Sequence, residues 1–139
     1  GVGFVSDLLK KSGARSIVDL KVSAPFHCSL MKDASIIMKE TLNSLKLNKL
    51  KSKFISNVTA NFENDPEIIK ELLIKQVFSR VRWRESIIKS TQRVKSIIEI
   101  GSGKVLTGMN KRINRDLNLL NISNWDEIEI FLKEFKEIL

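Results

Sequence analysis

The apolar residues of this chain follow two different spacings, and the change between them predicts helices that alternate with strands. Where they recur every three or four residues they mark one face of a helix, as at 4–11, 28–47, 66–77, 83–92 and 126–139. Where they alternate or run together they are typical of strands, as at 16–22, 54–56, 94–100 and 117–122. This alternation of strands and helices indicates the α/β class.

Turn-forming residues mark the boundaries of several of these elements. Gly13 favours the end of the first helix, and Pro25 interrupts the strand pattern before it. Asp65 and Pro66 are typical of a helix N-cap and of the first helical position. The glycines within 101–103 predict a tight turn between a strand and a helix.

The same spacing predicts which side chains the helices bury. In the helix that begins at Pro66, the predicted buried residues are Ile68, Ile69, Leu72, Leu73 and Val77. In the last helix they are Ile128, Phe131, Leu132, Phe135 and Ile138. Residues 57–65 show neither spacing, so we expect a loop there.

Composition and charge limit the class of protein. The chain has 139 residues, 42% hydrophobic and 29% charged, as expected for one folded domain. It has neither an apolar run of membrane-spanning length nor a signal-peptide pattern, so we expect a cytoplasmic protein. One cysteine and one histidine exclude an internal disulfide and leave too few ligands for a usual zinc site. The net charge of +8 favours acidic partners, such as nucleic acid, an acidic carrier protein or a coenzyme phosphate.

Two basic segments have a functional and a structural interpretation. Residues 101–104 resemble a phosphate loop, but Ile98 and Val105 stand where that motif needs Gly and Ser or Thr. A turn that enters a helix is therefore favoured, although its amides could face an anion.

The cluster 80–84, which contains Trp83, could bind nucleic acid by charge and stacking. A helix start with Trp83 in the core is favoured, because Trp is usually buried.

His27 is the only histidine, and its surroundings permit a catalytic role. It lies between a predicted strand and a predicted helix, where α/β proteins often carry catalytic groups. A neutral imidazole there could act as a general base. A structural role stays open, because the chain has no Gly-x-Ser-x-Gly nucleophile elbow. Cys28 is poorly placed as a partner, since neighbours at a helix start point in different directions.

Four segments share the order and spacing of one enzyme family. They are residues 22–31, which contain His27, and residues 56–60, 76–83 and 99–108. In the last of these Ser102 stands where the family usually has proline. Together the segments resemble the C-terminal half of bacterial malonyl-CoA:acyl-carrier-protein transacylases.

The resemblance implies a fold and a mechanism. Residues 23–139 would be the C-terminal portion of an α/β-hydrolase-like acyltransferase large subdomain, and 1–22 a helix-plus-strand remnant of the ferredoxin-like small subdomain. The family transfers malonyl from coenzyme A to the thiol of acyl carrier protein through an acylated serine. His27 would be the base for that serine and then for the thiol. A carbonyl oxygen at Gln76 would orient the imidazole.

The resemblance also implies how substrates bind. The side chain of Phe26 would narrow the pocket for malonyl units, and Asn57 would support the site. Charge alone makes Lys111, Arg112 and Arg115 candidates for docking the carrier protein. Malonyl-CoA is the implied substrate, and no metal or other cofactor is implied.

The family carries its nucleophilic serine, its arginine for the malonyl carboxylate and its oxyanion-hole amides in its first half, which this chain does not match. We therefore expect the chain to be inactive alone and to need the N-terminal half as a partner. Two other hypotheses stay open. The chain could be a non-enzymatic basic module that binds nucleic acid or an acidic protein, or a structural remnant that self-associates through exposed apolar surface.

Overall fold

The computed structural model describes residues 1–19 and 22–136. Its helices are α1 (Val2–Lys11), α2 (Lys32–Ser44), α3 (Pro66–Gln76), α4 (Trp83–Ser90), α5 (Val105–Ile113) and α6 (Trp125–Lys136). Its strands are β1 (Phe54–Ile55), β2 (Phe62–Glu63), β3 (Ser96–Ile100) and β4 (Asn118–Ile122). A 3-10 turn at Ser29–Met31 leads into α2.

The strands form two separate pairs within the described residues. β1 and β2 are antiparallel, with Ile55 opposite Phe62. β3 and β4 are parallel, from Ser96 opposite Asn118 to Ile100 opposite Ile122. Parallel neighbours need a crossover connection, and α5 supplies it. The α/β class predicted from the sequence is therefore confirmed.

The predicted boundary chemistry explains where two helices begin and end. Asp65 Oδ1 accepts hydrogen bonds from the amides of Glu67 and Ile68 at 2.8 and 3.2 Å, so α3 starts directly after it. At the end of α1, Gly13 has a φ of 91°, a left-handed conformation that glycine adopts without strain. Its amide donates to the carbonyl oxygen of Lys10 at 3.0 Å.

Several element predictions were wrong in extent. The strand predicted at 16–22 is absent from residues 16–19 and 22, and residues 20 and 21 lie outside the described part. The helix predicted at 28–47 is confined to α2 and its 3-10 turn. The loop predicted at 57–65 contains β2. The spacing of apolar residues reports only a local preference. For the two strand predictions the outcome also depends on whether a partner strand lies beside the segment.

The helices bury fewer side chains than their spacing predicts. The buried apolar residues are Ala60, Ile69, Leu72, Ile87 and Ile122. On α3, Ile68 and Leu73 are 46% and 37% exposed, because only one side of the helix packs against α2. On α6, Leu132 is 52% exposed, which contradicts its predicted burial. Ile138 and the side chain of Phe135 lie outside the described part.

None of the helices within residues 1–19 and 22–136 combines the length and the apolar character that crossing a membrane requires.

Candidate functional site

His27 sits in a strained turn between Pro25 and the start of α2. Its φ is 60°, a left-handed conformation that few residues other than glycine adopt. Such a backbone costs roughly 1–3 kcal/mol and persists only where surrounding contacts hold it. One of these contacts is the amide of His27, which donates to the carbonyl oxygen of Val77 at 3.3 Å.

The imidazole of His27 is oriented by the same stretch of chain. Its Nδ1 lies 2.8 Å from the backbone carbonyl oxygen of Gln76 and 3.4 Å from the side-chain Nε2 of that residue. Both cannot be hydrogen bonds at once, because the carbonyl needs a proton on Nδ1 and the amide nitrogen needs a lone pair there. We assign the shorter contact, in which Nδ1 donates to the carbonyl.

This assignment determines the chemistry of the other ring nitrogen. In a neutral imidazole that carries its proton on Nδ1, Nε2 has a free lone pair. His27 is exposed, so a second molecule can reach the residue that carries this lone pair. The arrangement can therefore accept a proton from a hydroxyl or thiol brought to this surface.

The position of His27 depends on the C-terminal end of α3. The last carbonyls of a helix lack partners within it, and those of Gln76 and Val77 accept hydrogen bonds from His27 instead. The contact joins residues 49 positions apart. Spacing along the chain gives no signal for it, which is why only the family resemblance suggested a carbonyl at Gln76.

A second strained loop carries Asn57. Ala60 has a φ of 55°, and its amide donates to the carbonyl oxygen of Ser56 at 2.7 Å. Ser56 is only 2% exposed, and its hydroxyl oxygen accepts a hydrogen bond from the amide of Val58 at 3.1 Å. The sequence pattern did not identify these two residues as determinants of the loop, because Ser56 falls at the end of the predicted strand 54–56 and alanine does not mark a turn.

Arg82 connects that loop to the segment that follows α3. Its amide donates to the carbonyl oxygen of Asn57 at 2.8 Å, and its Nη1 donates to that of Thr59 at 3.1 Å. Among the described residues no hydrogen bond joins Asn57 to His27. Phe26, next to His27, is 55% exposed. The roles expected for Asn57 and Phe26 thus stay predictions.

The basic cluster at 80–84 is largely occupied by its own contacts. Arg80 and Arg82 both pair with Glu85, at 3.0 and 3.3 Å. A hydrogen bond from the backbone amide of Glu85, followed by one from Arg82, lowers the pKa of this carboxyl. Trp83 is half-buried, and its Nε1 donates to Asn110 Oδ1 at 2.9 Å. These contacts agree with the helix start favoured from the sequence, although Trp83 is half-buried rather than in the core. Nucleic-acid binding by this cluster stays a prediction.

The turn at 101–103 leads into a helix whose first amides bind a carboxylate of this chain. Gly101 and Gly103 have φ values of 137° and 87°, as a tight turn requires. The first-turn amides of Leu106 and Thr107 donate to the Glu99 carboxylate at 3.1 and 2.7 Å. A hydrogen bond from the Thr107 hydroxyl, with those from the two amides, lowers the pKa of Glu99. The tight turn favoured from the sequence is confirmed, and at these two amides the chain's own carboxylate takes the place of an external anion.

The three cations proposed for docking lie together in sequence, at the end of α5 and just after it. Lys111, Arg112 and Arg115 are all exposed. No hydrogen bond or ion pair within the described residues connects them to His27. Their role in docking therefore stays a prediction.

A groove of about 410 Å³ between α2 and α3 is separate from His27, which does not line it. Two of its lysines, Lys70 and Lys75, are paired with Glu67 and Glu71 at 3.1 and 3.6 Å. Within residues 1–19 and 22–136, no three His, Cys, Asp or Glu side chains group as metal ligands do.

Comparison with known proteins shows that the chain is similar to part of several acyltransferases. No family model matches the chain. The malonyl CoA-acyl carrier protein transacylase of Bacillus subtilis is 41% identical over 138 residues, which cover 99% of this chain and 44% of that enzyme. The enzyme of the same name from Haemophilus influenzae is 36% identical over 129 residues, or 90% of this chain and 41% of the enzyme. The chain thus spans less than half the length of these relatives.

Solved structures agree in fold. An acyl-carrier-protein S-malonyltransferase from Bartonella henselae is 43% identical and has a TM-score of 0.85, covering 95% of this chain and 42% of that one. A type II PKS acyl-carrier protein in complex with its malonyl-transacylase gives 0.86 at 32% identity, covering 96% and 43%. The predicted resemblance to part of a malonyl transacylase is confirmed, and the acyltransferase fold with it. The division at residues 22 and 23 stays a prediction.

Proposed function

We propose that this chain supplies the general base of a malonyl-CoA:acyl-carrier-protein transacylase whose other catalytic groups lie in polypeptide that it does not match. The observation that carries the proposal is the 2.8 Å contact between His27 Nδ1 and the Gln76 carbonyl oxygen. That contact leaves Nε2 as a proton acceptor on an exposed surface. It supports the role that the family resemblance implies for His27.

The proposed reaction has two symmetrical halves. In the first, Nε2 of His27 takes the proton of a serine hydroxyl as the serine oxygen attacks the thioester carbon of malonyl-CoA. The imidazolium then returns the proton to the coenzyme A sulfur as the carbon–sulfur bond breaks. In the second half, Nε2 takes the proton of the carrier-protein thiol, which attacks the serine ester, and the serine recovers its proton.

A carbonyl oxygen suits this substrate as the group that orients the imidazole. In other triads a carboxylate has that role and stabilises the imidazolium by its charge. Malonyl carries a carboxylate of its own, and a neutral group at Gln76 adds no repulsion to it. We further propose that Phe26 narrows the pocket and that Asn57 supports the site.

The proposed partners follow from the same family and from charge. Acyl carrier protein is the acceptor, docking at Lys111, Arg112 and Arg115, and the remaining part of the enzyme supplies the serine. The solved complex of a malonyl-transacylase with a type II PKS acyl-carrier protein supports such docking. We propose a bacterial, cytoplasmic role in fatty-acid biosynthesis that needs no metal or cofactor beyond the thioester substrate.

The test is reconstitution with a relative. The chain is co-expressed with the part of the Bacillus subtilis transacylase that it does not match, and transfer of labelled malonyl from malonyl-CoA to holo-acyl carrier protein is measured. We expect transfer from the pair and none from either piece alone. His27→Ala should lower the rate by about 10²–10⁴-fold.

The control is Cys28→Ser, which alters the neighbouring residue and keeps a donor for the Pro25 carbonyl oxygen that Cys28 now contacts at 3.2 Å. It should retain the wild-type rate. Transfer that survives in His27→Ala, from a pair that forms normally, would contradict the proposal.

A further inference from the structure

Arg82 contacts the loop of Asn57 through both its backbone and its side chain. Its amide donates to the carbonyl oxygen of Asn57 at 2.8 Å, and its Nη1 donates to that of Thr59 at 3.1 Å. Within residues 1–19 and 22–136, no other residue beyond the β1–β2 hairpin donates to a backbone carbonyl of residues 56–60. Hydrogen bonds weaken steeply when their geometry is lost, so the loop cannot shift without weakening a contact to Arg82.

The guanidinium of Arg82 is itself held by a second partner. Its Nε donates to Glu85 Oε1 at 3.3 Å, and Glu85 lies in the first turn of α4. The two side chains are 41% and 36% exposed, so solvent reaches this pair only in part. A planar guanidinium presents its donors in a fixed fork. The contact with Glu85 therefore determines where the donor to Thr59 points.

The residues that orient His27 lie a few positions before Arg82. The carbonyl oxygens of Gln76 and Val77 lie 2.8 Å from the imidazole Nδ1 and 3.3 Å from the amide nitrogen of His27. Residues 77–82 form the short connection between α3 and α4. One end of this connection therefore contacts His27, and the other end contacts the loop that carries Asn57.

The side chain of Asn57 is available to a second molecule. Asn57 is half-buried, and among the described residues its side-chain oxygen and nitrogen form no hydrogen bond. Its backbone carbonyl is bound by Arg82. A side chain whose backbone is already fixed loses less conformational freedom when it binds a partner.

We infer that Arg82 is a positioning residue of the transacylase reaction, because it holds the loop of residues 56–60 so that the Asn57 amide keeps a fixed place relative to His27. The inference rests on the proposed function, in which Asn57 supports the site. Arg82 does not touch the reacting atoms in this role, and it acts through Asn57. A misplacement of about 1 Å can cost about 100-fold in rate, so a residue outside the reacting groups can control it.

The kinetics of the reconstituted pair test this role. Arg82→Met keeps the backbone amide and an unbranched side chain, but removes both side-chain contacts. In the pair formed with the part of the Bacillus subtilis transacylase that this chain does not match, we expect kcat for malonyl transfer to fall about 10–100-fold. The KM for malonyl-CoA should stay within about threefold. The amount of serine acylated at completion reports how much pair has assembled, and it should equal that of wild type.

Arg82→Lys is the second variant, and it replaces Arg82→Met if the latter does not fold. Lysine keeps the positive charge, but its single ammonium cannot reproduce the fork that binds Glu85 and the Thr59 carbonyl. Its kcat should stay below that of wild type by at least about threefold. Recovery of the full rate would show that charge alone is sufficient, and would overturn the inference.

Arg80→Met is the matched control. Arg80 also donates to Glu85 Oε1, at 3.0 Å, but its side chain is 79% exposed. In the described part of the chain it has no hydrogen bond to residues 56–60. The substitution removes an arginine from the same carboxylate and leaves the loop contacts in place, so kcat should stay within about twofold. Equal losses from Arg80→Met and Arg82→Met would contradict a specific role for Arg82.

A double-mutant cycle tests whether Arg82 acts through Asn57. Asn57→Ala alone should lower kcat. Adding Arg82→Met to Asn57→Ala should lower it by less than about threefold more, because the side chain that Arg82 positions is already gone. Losses that multiply would show that Arg82 acts on something else, and an Asn57→Ala pair with the wild-type kcat would also overturn the inference.

Amide hydrogen exchange in the chain alone separates this inference from the proposed function. The amide of Ala60, which donates to Ser56, should exchange about 10-fold faster in Arg82→Met and at the wild-type rate in Arg80→Met. Unchanged exchange in Arg82→Met would overturn the inference even if the pair is active. A wild-type pair that assembles but transfers no malonyl refutes the proposed function, and the exchange of Ala60 then decides whether Arg82 holds the loop.

Discussion

The middle segment, residues 54–90, and the sheet unit, residues 96–122, differ in how far each is packed by this chain alone. The middle segment buries Ser56, Ala60, Ile69, Lys70, Leu72, Ser86 and Ile87. The sheet unit buries Asn110 and Ile122. His27 is held by the middle segment, so its geometry rests on the better-packed region. The difference teaches that the contacts that orient His27 lie within this chain, whereas Ile98 and Ile100 in the sheet unit are 37% and 78% exposed.

A buried side-chain hydrogen bond connects the two regions. Trp83 on α4 donates to Asn110 on α5 at 2.9 Å, and Asn110 is only 1% exposed. A buried polar atom that loses its partner costs about 1–3 kcal/mol. This contact therefore couples the stability of the sheet unit to that of the middle segment.

The largest expected effect contrasts the cores of the two regions. Leu72→Ala should lower the free energy of unfolding by about 2–5 kcal/mol, because Leu72 is 6% exposed and leaves a cavity. Ile100→Ala, at 78% exposure, should change it by less than about 0.5 kcal/mol. Urea denaturation of the isolated chain measures both. Similar losses would mean that the two regions are packed alike.

The next effect tests the link between the regions. Trp83→Phe should lower the free energy of unfolding by about 1–3 kcal/mol, because it leaves Asn110 Oδ1 buried without a donor. Trp125→Phe is the control: that indole also donates, to Glu129 Oε1 at 3.0 Å, but the residue is 69% exposed. It should cost less than about 0.5 kcal/mol. Thermal unfolding of both variants measures the two losses of stability. Equal losses would show that the buried hydrogen bond to Asn110 contributes no more than the exposed one to Glu129.

A smaller effect concerns the helix whose end holds His27. Asp65→Ala removes the cap of α3 and should cost about 1 kcal/mol. Asp65→Asn keeps a side-chain oxygen for the amides of Glu67 and Ile68 and should remain near wild type. The melting temperatures of the two variants give the comparison. If Asp65→Asn fell as far as Asp65→Ala, the negative charge rather than the cap geometry would explain the loss.

The smallest effect is a pH dependence in the sheet unit. Hydrogen bonds from Thr107 and Leu106 lower the pKa of Glu99 in the folded chain. A lowered folded pKa stabilises the fold above the ordinary glutamate range, about pH 4, and this contribution is lost as the pH falls through the lowered value. The melting temperature of wild type should exceed that of Glu99→Gln at neutral pH, and the gap should narrow below about pH 4. Glu40→Gln, at an exposed position on α2, should show no such narrowing.

The sequence by itself determined the local features of this chain. The cap at Asp65, the stop at Gly13, the turn at 101–103 and the class of the fold depend on neighbouring residues and could be predicted from them. The four family segments predicted the enzyme class, because their order and spacing are specific. The strand predicted at 16–22 was wrong for residues 16–19 and 22, since alternation of apolar residues does not itself supply a paired neighbour.

Only the tertiary structure decided how the candidate site is built. His27 reaches the carbonyls of Gln76 and Val77 across about 50 residues, through a left-handed turn that no spacing rule predicts. The exposure of Ile68, Leu73 and Ile100 likewise depends on what packs against them, and apolar character alone does not reveal it. Contacts between distant parts of the chain exist only after folding, so side-chain chemistry predicted the candidate base and packing decided its partner.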